Sequence, residues 1–208
     1  MSSMTGSIVG PSWNRHDFSV VNAVARHSGW AHPLLTGYAN YGVAVFALLL
    51  VAGWWVARQS GDPRRVGLAL WAGAGTLLAV AVNQLVVNAV DEPRPYTVLP
   101  HALVLVSRSG DYSFPSDHAV MAGAVAAGLL IVSRRLGALA VAAALLMAFA
   151  RVYVGAHWPA DVIAGLLLGG LITVLGALAA PLWGWTIAML ARGPLRPLLL
   201  PAPGTPGP

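Results

Sequence analysis

The sequence predicts an all-α fold: a polytopic membrane bundle of about five transmembrane helices, with an N-terminal helix lying in the interface. Three observations carry this expectation. The 208 residues are 57% hydrophobic and only 9% charged, with a mean hydropathy of +0.71, whereas a soluble domain carries roughly 25% charged residues. Five stretches approach the about 20 apolar residues that a helix rising about 1.5 Å per residue needs to cross a bilayer. The charges sit between these stretches or at their ends. A soluble protein with a large core is the weaker reading.

The elements follow in order. Residues 1–14 are rich in Ser, Gly and Thr, lack a basic start and run into a polar stretch, so no cleavable signal peptide is read there and disorder is expected. Insertion then falls to the spanning helices themselves. From Asp17 to Trp30, Phe18, Val20, Val21, Val24 and Ala25 alternate with polar residues, the pattern of an amphipathic interfacial helix. The spans are expected at Tyr38–Ala57, Val66–Val90, Asp117–Ser133 and Leu136–Val154. A last one runs from Trp158 or Pro159 past Leu182, with a kink at Pro181. The membrane domain is placed at 15–193, and the Pro/Gly-rich tail 194–208 is expected to be disordered beyond about Leu200. No internal repeat is evident.

Composition removes several function classes. There is no cysteine, which excludes disulfides, thiolate metal sites and cysteine nucleophiles. All twelve basic residues are arginine, thinly spread, so the clustered basic face of a nucleic-acid binder is missing and no nucleic-acid partner is expected. Arg58, Arg64, Arg65, Arg134, Arg135, Arg192 and Arg196 fall on one side if five spans alternate, which makes that side, and the C-terminus, cytoplasmic. Arg15, Arg26, Arg94, Arg108 and Arg151 fall on the other. The eight tryptophans read as interfacial belt residues, although Trp158, beside His157, also fits a pocket wall.

The extracytoplasmic side collects the reactive groups: Asp91, Glu92, Arg94, His101, Asp111, Asp117, His118, Arg151, His157 and Asp161. His118 opens the third span and Arg151 closes the fourth, so the chain between them goes down and back and returns both to one level. Two arginines, two histidines and an aspartate suit an anionic, tetrahedral ligand, because the guanidinium fork pairs with phosphate oxygens. His157 and Asp161 lie four apart, with Pro159 between them at a plausible first helical position. If the helix includes His157, both share a face; if it begins later, the turn must fold His157 back. Two readings fit: a histidine oriented for nucleophilic attack or base work, or a surface histidine beside a capping aspartate. Ser116 is a candidate N-cap beside His118, either as a phosphate cradle with a proton donor or as an ordinary helix start.

In combination, Arg94-Pro95, Pro115-Ser116-Asp117-His118 and Arg151-(five)-His157-(three)-Asp161 resemble the ordered signature of the type-2 phosphatidic acid phosphatase superfamily. The resemblance implies a membrane phosphatase in which His157 attacks phosphorus and forms a phosphohistidine, Asp161 orients it, and His118 protonates the departing lipid oxygen. Arg94, Ser116 and Arg151 would hold the phosphate oxygens, with no cofactor and no divalent metal. Asp117, inside the same tetrapeptide, is placed with this phosphate-binding set. Three positions depart from the pattern: Val87 stands for the motif lysine, Asp117 for glycine and Ala150 for serine. Gln84 and Asn88 form a polar stripe on the second span that offers partial compensation, and His101 is a further accessory candidate.

The Pro-Ser-Asp-His form, with Leu99-Pro100-His101 and Ser113-Phe114 upstream, looks like the branch acting on undecaprenyl diphosphate. The implied substrate is a polyprenyl diphosphate, met at the extracytoplasmic face of a cell membrane. A glycerolipid phosphate, such as phosphatidic acid or phosphatidylglycerol phosphate, is the nearest alternative. A non-catalytic lipid-binding partner is a second. A metal enzyme or transporter using His118, His157 and Asp161 is a third, opposed by two arginines that would crowd a cation. Soluble haloperoxidases share the motif, but five apolar spans do not suit them.

Overall fold

A computed structural model describes residues 12–201, and the expectations for 1–11 and 202–208 lie outside that range. Among the described residues every regular element is helical. The helices are α1 (Ser12–His27), α2 (His32–Tyr41), α3 (Val43–Gln59), α4 (Pro63–Val90), the single turn α5 (Pro95–Val98), α6 (Asp117–Val132), α7 (Arg134–Tyr153), α8 (Pro159–Ala177), α9 (Ala180–Leu190) and the short α10 (Arg196–Leu199).

The centre of the bundle is α6, apolar along its length and buried on nearly every side, as expected of a helix enclosed by other helices. Close approach is what buries it. A Cβ at Gly123 would run into the Leu166 backbone, one at Gly165 into Ala119 and Ser116, and one at Gly169 into the Val120 carbonyl. Small residues let α6 and α8 meet backbone to backbone, the usual device where lipid removes the hydrophobic drive between helices. On its other sides α6 packs against α4 and α7, with Phe46, Val125, Leu129 and Met147 filling the space toward α3 and α7. Leucines at 48, 77, 85, 167, 171 and 178 point outward and exposed, as a lipid-facing surface requires.

By length and apolarity α4, α7 and α8 are long enough to span a membrane, and the pair ending in α3 makes a fourth candidate. At 16 residues α6 is shorter than a full span. The expected first span is not straight: it bends by 57° between residues 29–41 and 43–59. Gly42 sits at the break, where a Cβ would strike Met147 Cε and the Tyr38 carbonyl. The last span breaks at Leu178–Ala179, and Pro181 falls in the first turn of α9, where its missing N–H costs nothing.

The N-terminal helix starts five residues earlier than expected and is anchored on the bundle by one face. Asn14, Phe18, Asn22 and Ala25 form its buried face. The Ala160 N–H donates to Asn14 Oδ1 at 2.9 Å, and Asn22 pairs with both backbone groups of Leu103 at 2.9 and 3.0 Å. Phe18 packs edge-on against Trp158 with ring centroids 5.1 Å apart. At the other end Leu199 is buried against Ala57, Val66 and Ile187. Packing among the described residues thus includes Asn14 near one end and Leu199 near the other.

Candidate active site

Four helix ends supply the site. A left-handed Asp91 (φ 53°) ends α4 and turns the chain toward Arg94, which caps α5. Ser116 precedes α6, and its N–H donates to the Asp161 carbonyl at 3.2 Å. At the end of α7, Gly155 adopts φ 78°, a region open to glycine, and a Cβ there would meet the Leu103 carbonyl. This tight turn brings the His157 N–H back to the Arg151 carbonyl at 3.3 Å. The next helix starts at Pro159, so His157 lies outside it and folds back onto Asp161.

Asp161 both caps α8 and touches the His157 ring, and His157 is buried rather than at the surface. Asp161 Oδ2 accepts the Trp158 N–H at 2.8 Å, which caps α8, and also takes the Ser113 hydroxyl and His157 Nδ1, the latter at 3.3 Å. His157 Nδ1 lies 2.9 Å from the Ser113 carbonyl as well. A carbonyl only accepts, so Nδ1 carries the proton and Nε2 the lone pair. On that side Arg94 Nη1 donates to Nε2 at 3.2 Å, and a guanidinium only donates. The tautomer is thereby fixed from both ends of the ring.

Arg94 is held in turn by loop atoms. Its Nη1 donates to the Ala156 carbonyl at 3.0 Å, Nε to the Asp111 carbonyl at 3.2 Å, and Nη2 to the Asp111 carboxylate at 3.1 Å. Arg151 donates to the Ala39 carbonyl at 3.3 Å, but its Nε is buried without a partner, as is Ser116 Oγ. Leaving such a donor unpaired costs about 1–3 kcal/mol, so these groups are suited to an acceptor-rich ligand. Arg94, Arg151, His118 and His157 line one cavity of about 520 Å³, with Gln84, Asn88 and Asp117 along another wall.

Burial, and then the positive charges of Arg151 and Arg94, hold the His157 imidazole well below its ordinary range. Burial raises Asp111, but the Ser109 hydroxyl and the Arg94 charge outweigh it and leave the carboxylate below its usual range. Burial raises Glu92. Among the described residues no three His, Asp or Glu side chains gather as a metal-ligand set.

The structure thus brings together His157, His118, Asp161, Arg94 and Arg151, with Ser116 beside them. Asp117 reaches the cavity wall, but its Oδ1 accepts from Asn83 Nδ2 at 2.7 Å and Gln84 Nε2 at 2.8 Å. Gln84 therefore serves a neighbouring carboxylate, while Asn88 lines the cavity. His101 is not brought in: its turn packs on α1, its carbonyl accepts from Arg26, and it borders a separate depression. The sequence reading names Asp111 and Ser113 without these roles and does not name Asn83. The roles of Asp111 and Ser113 depend on the path of a non-helical loop. Asn83 could have been noticed as a polar residue deep in an apolar span.

Solved and curated proteins resemble this chain over most of its length. The crystal structure of Aquifex aeolicus LpxE superposes with a TM-score of 0.61 at 26% identity, covering 82% of this chain and 98% of that one. The undecaprenyl-diphosphatase BcrC of Bacillus subtilis is 29% identical over 168 residues, 78% of this chain and 81% of its own. The lipid A 1-phosphatase of Rhizobium etli is 28% identical over 188 residues, 84% of this chain and 81% of its own. The family model described as the PAP2 superfamily matches residues 68–186, more than half of the chain, from within α4 to within α9, and the protein belongs to that superfamily of lipid phosphate phosphatases as one of its membrane members.

Proposed function

We propose that the protein hydrolyses a polyprenyl diphosphate of the undecaprenyl type, through a phosphohistidine on His157, at the extracytoplasmic membrane face. One observation carries this: a histidine with its Nε2 lone pair fixed, a second histidine and two guanidinium groups share one cavity. An entering phosphate takes over the Arg94 donor that rests on His157, together with the unpaired Arg151 Nε and Ser116 Oγ. His157 Nε2 attacks phosphorus, the bond to the lipid-side oxygen breaks, and His118 gives that oxygen its proton. Water then attacks the phosphohistidine, with His118 accepting its proton and inorganic phosphate leaving. Donors placed where charge develops supply the main stabilisation.

A lipid substrate is supported by an apolar groove of about 340 Å³ that adjoins the cavity. Val43, Phe46, Leu50, Leu77 and Val80 line it, and Asp117 and His118 border both spaces. The likeness to an undecaprenyl-diphosphatase supports the polyprenyl class, and the likeness to a lipid A 1-phosphatase supports a glycolipid phosphate as the second reading. Phosphate release from undecaprenyl diphosphate, phosphatidic acid and lipid A, with strong chelator present, separates the readings. The expected result is chelator-resistant release, fastest from the polyprenyl lipid and reduced at least about 10⁴-fold in His157→Ala. Equal turnover by the alanine variant contradicts the nucleophile, and loss of activity with chelator contradicts the metal-free scheme.

A further inference from the structure

Asn83 is fully buried on α4, next to the cavity, and phosphate transfer as read above gives it no task. A buried amide in a spanning helix is costly unless its hydrogens are bonded. Here both go to one short turn. Asn83 Nδ2 donates to the Pro115 carbonyl at 3.1 Å and to Asp117 Oδ1 at 2.7 Å. The adjacent Gln84 donates to the same Oδ1 at 2.8 Å. Those two anchor points straddle Ser116 and immediately precede His118. An ionised carboxylate only accepts hydrogen bonds and repels a phosphate. Two amide donors on its inner oxygen satisfy it and hold it on α4. Val87, one turn further along α4, is buried and apolar, so the helix offers no cation there.

We propose that Asn83, with Gln84, is a positioning residue for phosphate transfer, clamping the Asp117 carboxylate to α4 and thereby aiming Ser116 and His118 at the phosphoryl group. This rests on the reading of Ser116 as a phosphate ligand and His118 as the proton donor. A misplacement of about 1 Å at a reacting group costs on the order of 10²-fold, so the clamp should be visible in turnover.

The test is a double-mutant cycle on purified full-length protein with undecaprenyl diphosphate: wild type, Asn83→Ala, Asp117→Gly and the pair, with kcat and KM measured separately. Asn83→Ala is expected to lower kcat by about 10- to 100-fold and to shift the alkaline limb of the pH profile, which reports the proton donor. In the Asp117→Gly background the same substitution should cost less than about threefold, because the partner it positions is gone. Gln84→Leu, at an exposed position, removes one donor with little packing change. It should give a smaller loss in the same parameter, and it carries the test if neither Asn83→Ala nor Asn83→Ser folds. Equal fold-losses in both Asp117 backgrounds, with an unmoved pH limb, overturn the clamp and leave Asn83 as helix packing. Absence of phosphate release by wild type overturns the underlying reading of the site, and the clamp with it; an active wild type without coupling sinks the clamp alone.

Discussion

The imidazole of His157 is buried between two guanidinium groups, and that surrounding sets how activity should depend on pH. Burial first, and the charges of Arg151 and Arg94 second, hold its pKa well below the ordinary 6.5. Protonation would occupy the Nε2 lone pair, so nucleophilic activity is present above the shifted value and lost as pH falls through it. On the proposed mechanism, the acid limb of phosphohistidine formation is therefore expected below pH 6.5. Rapid-quench labelling of the protein with radiolabelled diphosphate should give a constant rate from neutrality down to pH 6.5, and half-loss at or above that value would contradict the buried, neutral nucleophile. The spacing of His157 and Asp161 made this pair legible in the sequence. The second acceptor on the ring, the Ser113 carbonyl at 2.9 Å, was not, because no local pattern encodes where a loop returns to a helix end.

Between α6 and α8 the contact is made by glycines, and the two helices carry His118 and Asp161 at their first turns. A side chain at Gly169 must push into the Val120 carbonyl, and neither backbone can yield without separating the helices. Gly169→Leu is expected to lower stability by about 1–3 kcal/mol and to depress kcat by more than the unfolded fraction explains, since the shift reaches the catalytic turns. Thermal unfolding in detergent alongside turnover at a permissive temperature checks both parts; unchanged kcat in the folded variant would detach this seam from the site. Apolar runs and arginine pairs made α4, α6 and α7 legible to within a few residues, and α8 at its start but not at its end. The 57° bend before α3 was not, because it depends on the close approach of Met147, distant in sequence, to Gly42. On α1 the roles of Asn14 and Asn22, which hydrogen-bond to Ala160 and Leu103, were not legible, because their partners lie far away in sequence.

Across the whole molecule, seven of the ten arginines without a place in the cavity gather at the end opposite to it, whereas Arg15, Arg26 and Arg108 lie on the cavity side. Arg58 donates twice to the Pro197 carbonyl, at 2.9 and 2.7 Å, and Arg65 donates to the Val132 carbonyl at 3.1 Å, so they also close the bundle there. Arg64, Arg134, Arg135, Arg192 and Arg196 occupy the neighbouring helix starts and turns. Positive charge near span ends tends to be retained on the cytoplasmic side during insertion, and this supports the proposed orientation, with the 520 Å³ cavity facing outward. The two arginines of the cavity do not weigh against this orientation, because they are held by buried partners within the site. The chain has no cysteine, so single cysteines report sidedness directly. Gly110→Cys, in the exposed loop beside the cavity, should react with a membrane-impermeant maleimide on intact cells, and Arg64→Cys only after permeabilisation. The reverse pattern would place the phosphoryl chemistry inside the cell and overturn the proposed orientation. Labelling of both on intact cells would mean that the arginine ends do not fix one topology.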